Sequence, residues 1–350
     1  MEPRLQRITS VTTKVRRLGY FTRFSQILKQ NSLTQTALKN QILSEKDDNK
    51  KLLTEACCEL PISRKDVTGE IANSDAFERY LGTAKELGLI ENISGRLYST
   101  KRGEVLAELV GKQNFFKLTL PQIHLIWHII LEKDYDYIRN VIVCTIDSPR
   151  NEDQAFFKNV KDLWHRKLNE AILRKVEDRD NLRKAVETKW RSPIRYYREN
   201  IKSPRLEWLL DLNAIEFWNF EKKHITFRPN IMCLIESEPK QFSASFLSFM
   251  EPTLPISKRY WNDLPKTMKY GLIKKLVSDS FTLFAFRKET RKISANEFLE
   301  FGVSFLAGSG IVCEIQELEE SLFEFTSLKG SEHSYSRISS SADSGYITEY

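Results

Sequence analysis

Two groups of residues in this chain have the types and spacing that chemistry requires. His124 and His128 lie four residues apart, so on a helix both imidazoles share one face and can hold a metal ion. Leu125, Ile126 and Trp127 stand between them, so the general-base glutamate of an H-E-x-x-H metalloprotease is missing. No obvious third ligand lies nearby, and a histidine pair on an apolar face reads as structural. Glu238-Pro239-Lys240 is an acid-x-lysine triplet of the kind that metal-dependent nucleases use. Pro239 has no N–H to give to a strand ladder, which keeps the triplet out of a central strand. Such triplets are also common by chance, and this one is not taken as catalytic. A phosphate-binding G-x-x-x-x-G-K-[ST] loop, a G-x-G-x-x-G turn and a G-x-S-x-G nucleophile elbow are all missing. The expectation is a binding protein rather than an enzyme, with no metal and no cofactor.

Charge supplies the next candidate surface. The chain has 54 Lys and Arg against 47 Asp and Glu, a formal net charge of +7 that permits a nucleic-acid partner without requiring one. Its distribution is more telling. The stretch from Lys158 to Arg205 holds fifteen bases and seven acids, an excess about equal to the net charge of the whole chain. Within it, Lys184, Lys189, Arg191, Arg195, Arg198, Lys202 and Arg205 are candidate phosphate contacts. Trp190, Tyr196 and Tyr197 lie among them and can stack on exposed bases. The competing reading is a solvated helix laced with i,i+4 ion pairs over a buried aromatic stripe.

These side chains need elements to position them. Hydrophobic residues at 41% and charged residues at 29% are ordinary for a folded chain, and 350 residues suffice for two or three units. Gly 13 and Pro 11 are low counts, which favours helix. Five cysteines, scattered apart from the adjacent pair Cys57-Cys58 and with no C-x-x-C, fit reduced thiols in a cytosolic protein. No apolar run approaches the roughly 18–20 residues of a membrane span. The basic N-terminus, with Arg4, Arg7, Lys14, Arg16 and Arg17, lacks the apolar stretch of a secretory signal and reads as a mobile arm over residues 1–18. The charged run Glu45 to Lys51 reads as a solvated turn.

Residues 63–110 are the most informative. Ser63 can cap a short helix through Ile71, and Ser74 a longer one carrying Phe77, Leu81, Ala84 and Leu87 on one stripe. Gly88 is placed as a left-handed C-terminal cap. Leu89–Ile93, the turn Ser94-Gly95 and Arg96–Thr100 then predict a β-hairpin, closed by Lys101-Arg102-Gly103 into a new helix. Helix, helix, hairpin, helix, with Glu86-Leu87-Gly88-Leu89-Ile90-Glu91 and Tyr98-Ser99-Thr100-Lys101-Arg102-Gly103, resembles the winged helix-turn-helix domain. In that family the second helix of the motif enters the major groove and the hairpin, or wing, touches backbone or minor groove. The resemblance implies DNA contact by Arg96, Lys101 and Arg102 on the wing. The motif helix would present Asp75, Glu78 and Glu86 to phosphates, which is unfavourable, so a protein-docking role stays open beside the DNA role.

The pattern returns after Ser192. Ser203-Pro204 starts a helix with Leu206, Leu209, Leu210 and Leu212, followed by Ile215–Trp218 and His224–Phe227 around a turn carrying Lys222 and Lys223, two further candidate phosphate contacts. The expected class is mainly α with small β-hairpins, as tandem winged-helix-like modules joined by a charged helical region. In order these are a basic arm (1–18), a winged-helix domain (19–118), a helical linker region (119–191), a second winged-helix-like module (192–250) and a C-terminal α/β unit with a polar tail (251–350). The expected function is non-enzymatic DNA or other nucleic-acid binding, as a subunit of a larger DNA-manipulating or prokaryotic antiviral-defence assembly. The alternative is a scaffold that docks proteins on its winged-helix surfaces. DNA and partner subunits are the expected partners, without a membrane. The expected location is the cytoplasm, on the nucleoid, or the nucleus in a eukaryote.

Overall fold

The structure is a computed structural model. It describes the chain except for residues 1–7, 9, 64–68, 111–113, 148–153, 156–157, 164–165, 167–197, 220, 223, 255, 285–291, 329–332, 337–344 and 350. The described residues are mainly helical, with small strand pairs. The first half runs α1 (Gly19–Gln30), β1 (Leu33–Thr34), α2 (Gln35–Ser44), α3 (Lys46–Cys57), α4 (Ser74–Glu86), β2 (Ile90–Ile93), β3 (Arg96–Ser99), α5 (Lys101–Glu108), α6 (Leu120–Lys133) and α7 (Tyr135–Asp147). After residue 197 a π-helical turn, Arg198–Lys202, leads into α8 (Ser203–Asp211), β4 (Ile215–Asn219) and β5 (His224–Phe227). The remainder is α9 (Ile231–Ile235), α10 (Phe242–Met250), β6 (Arg259–Tyr260), α11 (Lys266–Phe284), β7 (Lys292–Ser294), α12 (Ala295–Gly308), β8 (Ile311–Val312), α13 (Ile315–Thr326), β9 (His333–Ser336) and β10 (Tyr346–Glu349).

The chain divides into two compact units, each drawn from three separate stretches. One comprises 1–20, 39–87 and 129–227, the other 21–38, 88–128 and 228–350. The units therefore cut across the consecutive segments expected from the sequence.

In the first unit the core is built around charge. Ile8, Val11, Val15 and Leu18 are all buried, so the stretch expected to be a mobile arm is anchored in the core by these four side chains. The physical reason is the recurrence of apolar residues at 8, 11, 15 and 18 between the polar and basic ones. The apolar side chains bury, and the buried base Arg17 meets Asp211 and Glu207 at 2.7 Å each. Tyr80 Oη accepts the backbone N–H groups of Arg16 and Arg17 and donates to the Gly69 carbonyl. Trp208 donates its ring N–H to the Val15 carbonyl. The charged run after Glu45 is helical rather than a turn. Asp47 and Asp48 lie in the first turn of α3, where carboxylates suit the helix dipole, and Asn49, Leu53 and Ala56 supply a buried face. Helix α4 is capped by Asn73, one residue before the expected Ser74, with its side chain accepting from Ala76 N–H at 2.9 Å.

The hairpin β4–β5 is present as expected, following Asn213 at φ 58°. Its outer partner is a short parallel bridge at Ile62, where Trp218 N–H donates to Pro61 O and Ser63 N–H to Trp218 O. The expected helix from Ser63 falls largely on residues 64–68, outside the described residues.

In the second unit β1, β3 and β2 form an antiparallel sheet in that order, with Leu33 opposite Leu97 and Ile93 opposite Arg96. Ser94 (φ 50°) and Gly95 (φ 81°) make the tight turn, since two successive left-handed residues match the twist of the strands. Gly88 adopts φ 73° just past α4, the left-handed position that favours glycine. Thr100 closes the base of the hairpin: its hydroxyl donates to the Gly88 carbonyl at 2.6 Å and accepts from Gly103 N–H at 3.1 Å. A Cβ on Gly103 would lie 2.3 Å from the Leu89 carbonyl oxygen, so only glycine lets α5 start there.

Helix α12 is the hub of this unit, packing on α5, α10, α11 and α13. Ser294 and Glu297 form its capping box, and Gly302 admits Leu318 of α13, which would meet a Cβ at 2.7 Å. The C-terminal strand pieces pair as β7-β10-β9, with Ile347 fully buried, so the last described strand is part of the core and not a frayed end.

Candidate functional site

A pocket of about 480 Å³ opens in the second unit, within the ~300–1,000 Å³ typical of small-molecule sites. It gathers residues from α6, the 238–243 stretch, α12 and the start of α13. Both constellations singled out by their chemistry, His124/His128 and Glu238-Pro239-Lys240, line it.

His124 is buried, with Nδ1 3.1 Å from Ser304 Oγ and Nε2 3.2 Å from Ser243 Oγ. A neutral imidazole has one donor and one acceptor nitrogen, so one serine gives a proton to the ring and the other takes one. Phe242 and Phe246 pack against the ring at 5.0 and 4.9 Å between centroids. Burial, with a smaller contribution from His128, pushes the His124 pKa down to about 3. So weak a base does not activate either serine at neutral pH. No group of three metal-binding side chains occurs among the described residues. The triplet forms one turn of 3-10 helix, Pro239–Gln241, with Glu238 and Lys240 paired at 3.3 Å on the exposed rim.

Glu314 lines the same pocket, and no catalytic motif in the sequence singles it out. It precedes α13 and forms a capping box with Glu317. The same carboxylate accepts the Ser243 N–H at 3.0 Å and that of Ala244, at the start of α10. One side chain thus holds two helix N-termini together. Burial raises its pKa above the usual carboxylate value, against the lowering by these N–H groups. The E-x-x-E spacing was the readable signal; the second helix was not.

The expected phosphate contacts fare differently. Arg96 is exposed on β3, its guanidinium donating to Ser32 O at 2.7 Å and Ser32 Oγ at 3.1 Å. Lys101 is exposed at the start of α5, its ammonium 5.8 Å from the Tyr346 ring centroid. Arg102 is committed to Glu300, with Nε and Nη2 at 2.9 and 2.7 Å from one carboxylate oxygen. Lys222 is exposed in the β4–β5 turn. Lys202 and Arg205 are corrections: they are 2% and 0% exposed, so neither can face a phosphate. Their helix turns its basic stripe inward because Asp134 and backbone carbonyls wait there for Arg205. Lys184, Lys189, Arg191, Arg195 and Lys223, and the side chain of Arg198, lie outside the described residues. Of the rest of the basic stretch, Lys158, Lys161 and Arg166 are exposed.

Compared with known proteins, the chain matches no family model, no curated sequence and no solved structure. The class is that of a mainly helical protein with small strand pairs, and no described helix is long and apolar enough to cross a membrane.

Proposed function

We propose that this chain is a non-enzymatic nucleic-acid-binding protein that holds phosphate backbone through a winged-helix-like hairpin and the basic stretch of sequence that begins at Lys158. The observation that carries this reading is the β2–β3 ribbon. Ile93, Ser94, Gly95 and Arg96 are all exposed at its tip, while Thr100 locks its base. A braced ribbon with an arginine at its end suits contact with a charged backbone, because the ordering cost is met before binding. The order of helices, hairpin and helix around it supports the same reading, as does the basic excess from Lys158 onward. Partner subunits in a DNA-manipulating or defence-type assembly belong to this proposal.

Fluorescence anisotropy with single-stranded DNA, duplex DNA and RNA at several salt concentrations tests it. Binding that weakens with salt is expected, and Arg96→Glu weakens it further and reduces the salt slope by about 1. Absence of binding to all three near physiological salt overturns the proposal.

One observation favours protein docking as a second reading. The exposed face of α4 carries Asp75 and Glu78, and Asp75 is already paired with Lys14 and with Arg79. Ile93, 50% exposed on the ribbon, would suit a protein surface better than phosphate. A stable complex that survives nuclease treatment distinguishes this case.

A further inference from the structure

We propose that the pocket between α6, α10, α12 and α13 binds a small, ring-bearing apolar molecule that carries a protonated amine. This inference is independent of the nucleic-acid reading and stands or falls by itself.

Three features specify the ligand. The first is volume: about 480 Å³ takes a molecule the size of one or two fused rings. The second is the wall, in which Leu125, Phe242, Val303 and Ile315 offer apolar surface and the half-buried His128 ring lies 5.6 Å from Phe242, centroid to centroid. Flat rings bury well against such a wall, and offset or edge contacts add to the area term. His124 contributes no charge, since burial among Phe242, Phe246 and the two serines disfavours the charged ring.

The third feature is the sign of the charge. Glu238, Glu300 and Glu314 line the pocket together with one lysine, Lys240. Lys240 pairs with Glu238 at the rim, and Arg102 holds Glu300. Glu314 has no ion-pair partner among the described residues; its contacts are backbone N–H groups of α10 and α13 and the Ser243 hydroxyl. A half-buried carboxylate in an apolar wall is where an ammonium gains most, because each charge offsets the desolvation of the other. An anionic ligand would meet three carboxylates there instead.

The test uses the full chain and three probes at pH 7.5: 1-naphthylmethylamine, 1-naphthoate of similar shape and opposite charge, and ethylamine, which lacks the ring. Isothermal titration calorimetry is expected to show the naphthyl amine binding at least tenfold tighter than either of the others. Glu314→Gln keeps an acceptor for the helix N–H groups and removes the charge, so it should abolish that preference. Ile315→Trp, at the half-buried rim, should block the pocket and abolish binding. Equal binding of naphthoate and the amine overturns the proposal, as does a preference that survives in folded Glu314→Gln, or no binding at millimolar concentration. Should Glu314→Gln unfold, wild-type protein with 13C-labelled glutamate gives the same answer. The Glu314 carboxyl resonance then shifts with the amine and not with naphthoate, and an unmoved resonance overturns the assignment.

Discussion

Arg205 and Asp134 are joined by two hydrogen bonds, Nε to Oδ2 at 2.6 Å and Nη2 to Oδ1 at 2.8 Å, where neither side chain is more than 1% exposed. The pair is satisfied on every side. Asp134 also accepts the Ile8 N–H at 2.7 Å, Arg205 donates to the Ile8 and Ile201 carbonyls, and its guanidinium lies 4.8 Å from the Tyr137 ring centroid. Two charges taken out of water are tolerable only in such geometry. The same contacts tie the N-terminal stretch to α8, so removing one partner should loosen more than one element.

Arg205→Met should therefore cost about 3–5 kcal/mol, because it leaves the Asp134 carboxylate buried without its partner. The double variant Asp134→Leu/Arg205→Met should cost less than the single one, since no charge is stranded. Urea denaturation of the three proteins measures this. A double variant no more stable than Arg205→Met would show that the stranded carboxylate is not the source of the loss.

Stability should depend on pH through His124. Its pKa is lowered from 6.5 to about 3 by burial, so the folded protein holds a neutral ring where the unfolded chain binds a proton. The contribution is fully present above about pH 6.5 and is lost as pH falls toward 3. Chemical denaturation of wild type and His124→Gln at pH 7, 5.5 and 4 should show the wild-type advantage shrinking on acidification. A constant difference would contradict a buried neutral imidazole.

Asp211 should act with the opposite sign. Burial pushes its pKa up from 3.8 to about 6, while Arg17 and the Leu18 N–H pull it down without fully compensating. Between these values the folded state holds a proton that the unfolded chain has released, so this contribution falls as pH rises through 6. The stability of wild type relative to Asp211→Asn should thus decline from pH 4.5 to pH 7. A flat or rising difference over that range would refute the shift.

The base of the β2–β3 ribbon offers a local test. Thr100→Val removes the α5 cap and should cost about 1 kcal/mol. Gly103→Ala should cost more, because its Cβ would sit 2.3 Å from the Leu89 carbonyl and no flexible side chain can yield there. Thermal unfolding ranks the two. Gly103→Ala being the milder would show that the hairpin base relaxes freely.

Several parts of this architecture were legible beforehand because their causes are local. Ser94-Gly95 needs two left-handed residues and Gly88 needs one, and each condition is set within a single turn. Residues 45–51 were misread as a turn because charge was visible and the buried face supplied by Asn49, Leu53 and Ala56 was not. The N-terminal stretch was misread for a related reason. Basic residues look like an arm until Glu207 and Asp211, about 190 positions later, are found beside them.

By itself, then, the sequence determined the helical character of the chain, the two hairpins and the left-handed position of Gly88, since turn geometry acts over a few residues. Only the tertiary structure decided which bases are interior and which exposed, because the cost of burying Arg205 depends on where Asp134 lies. It also decided that His124, Ser243, Ser304 and Glu314 share one pocket. Those four come from separate stretches of chain, and their proximity is set by helix packing around α12, where no short-range pattern of residue types records it.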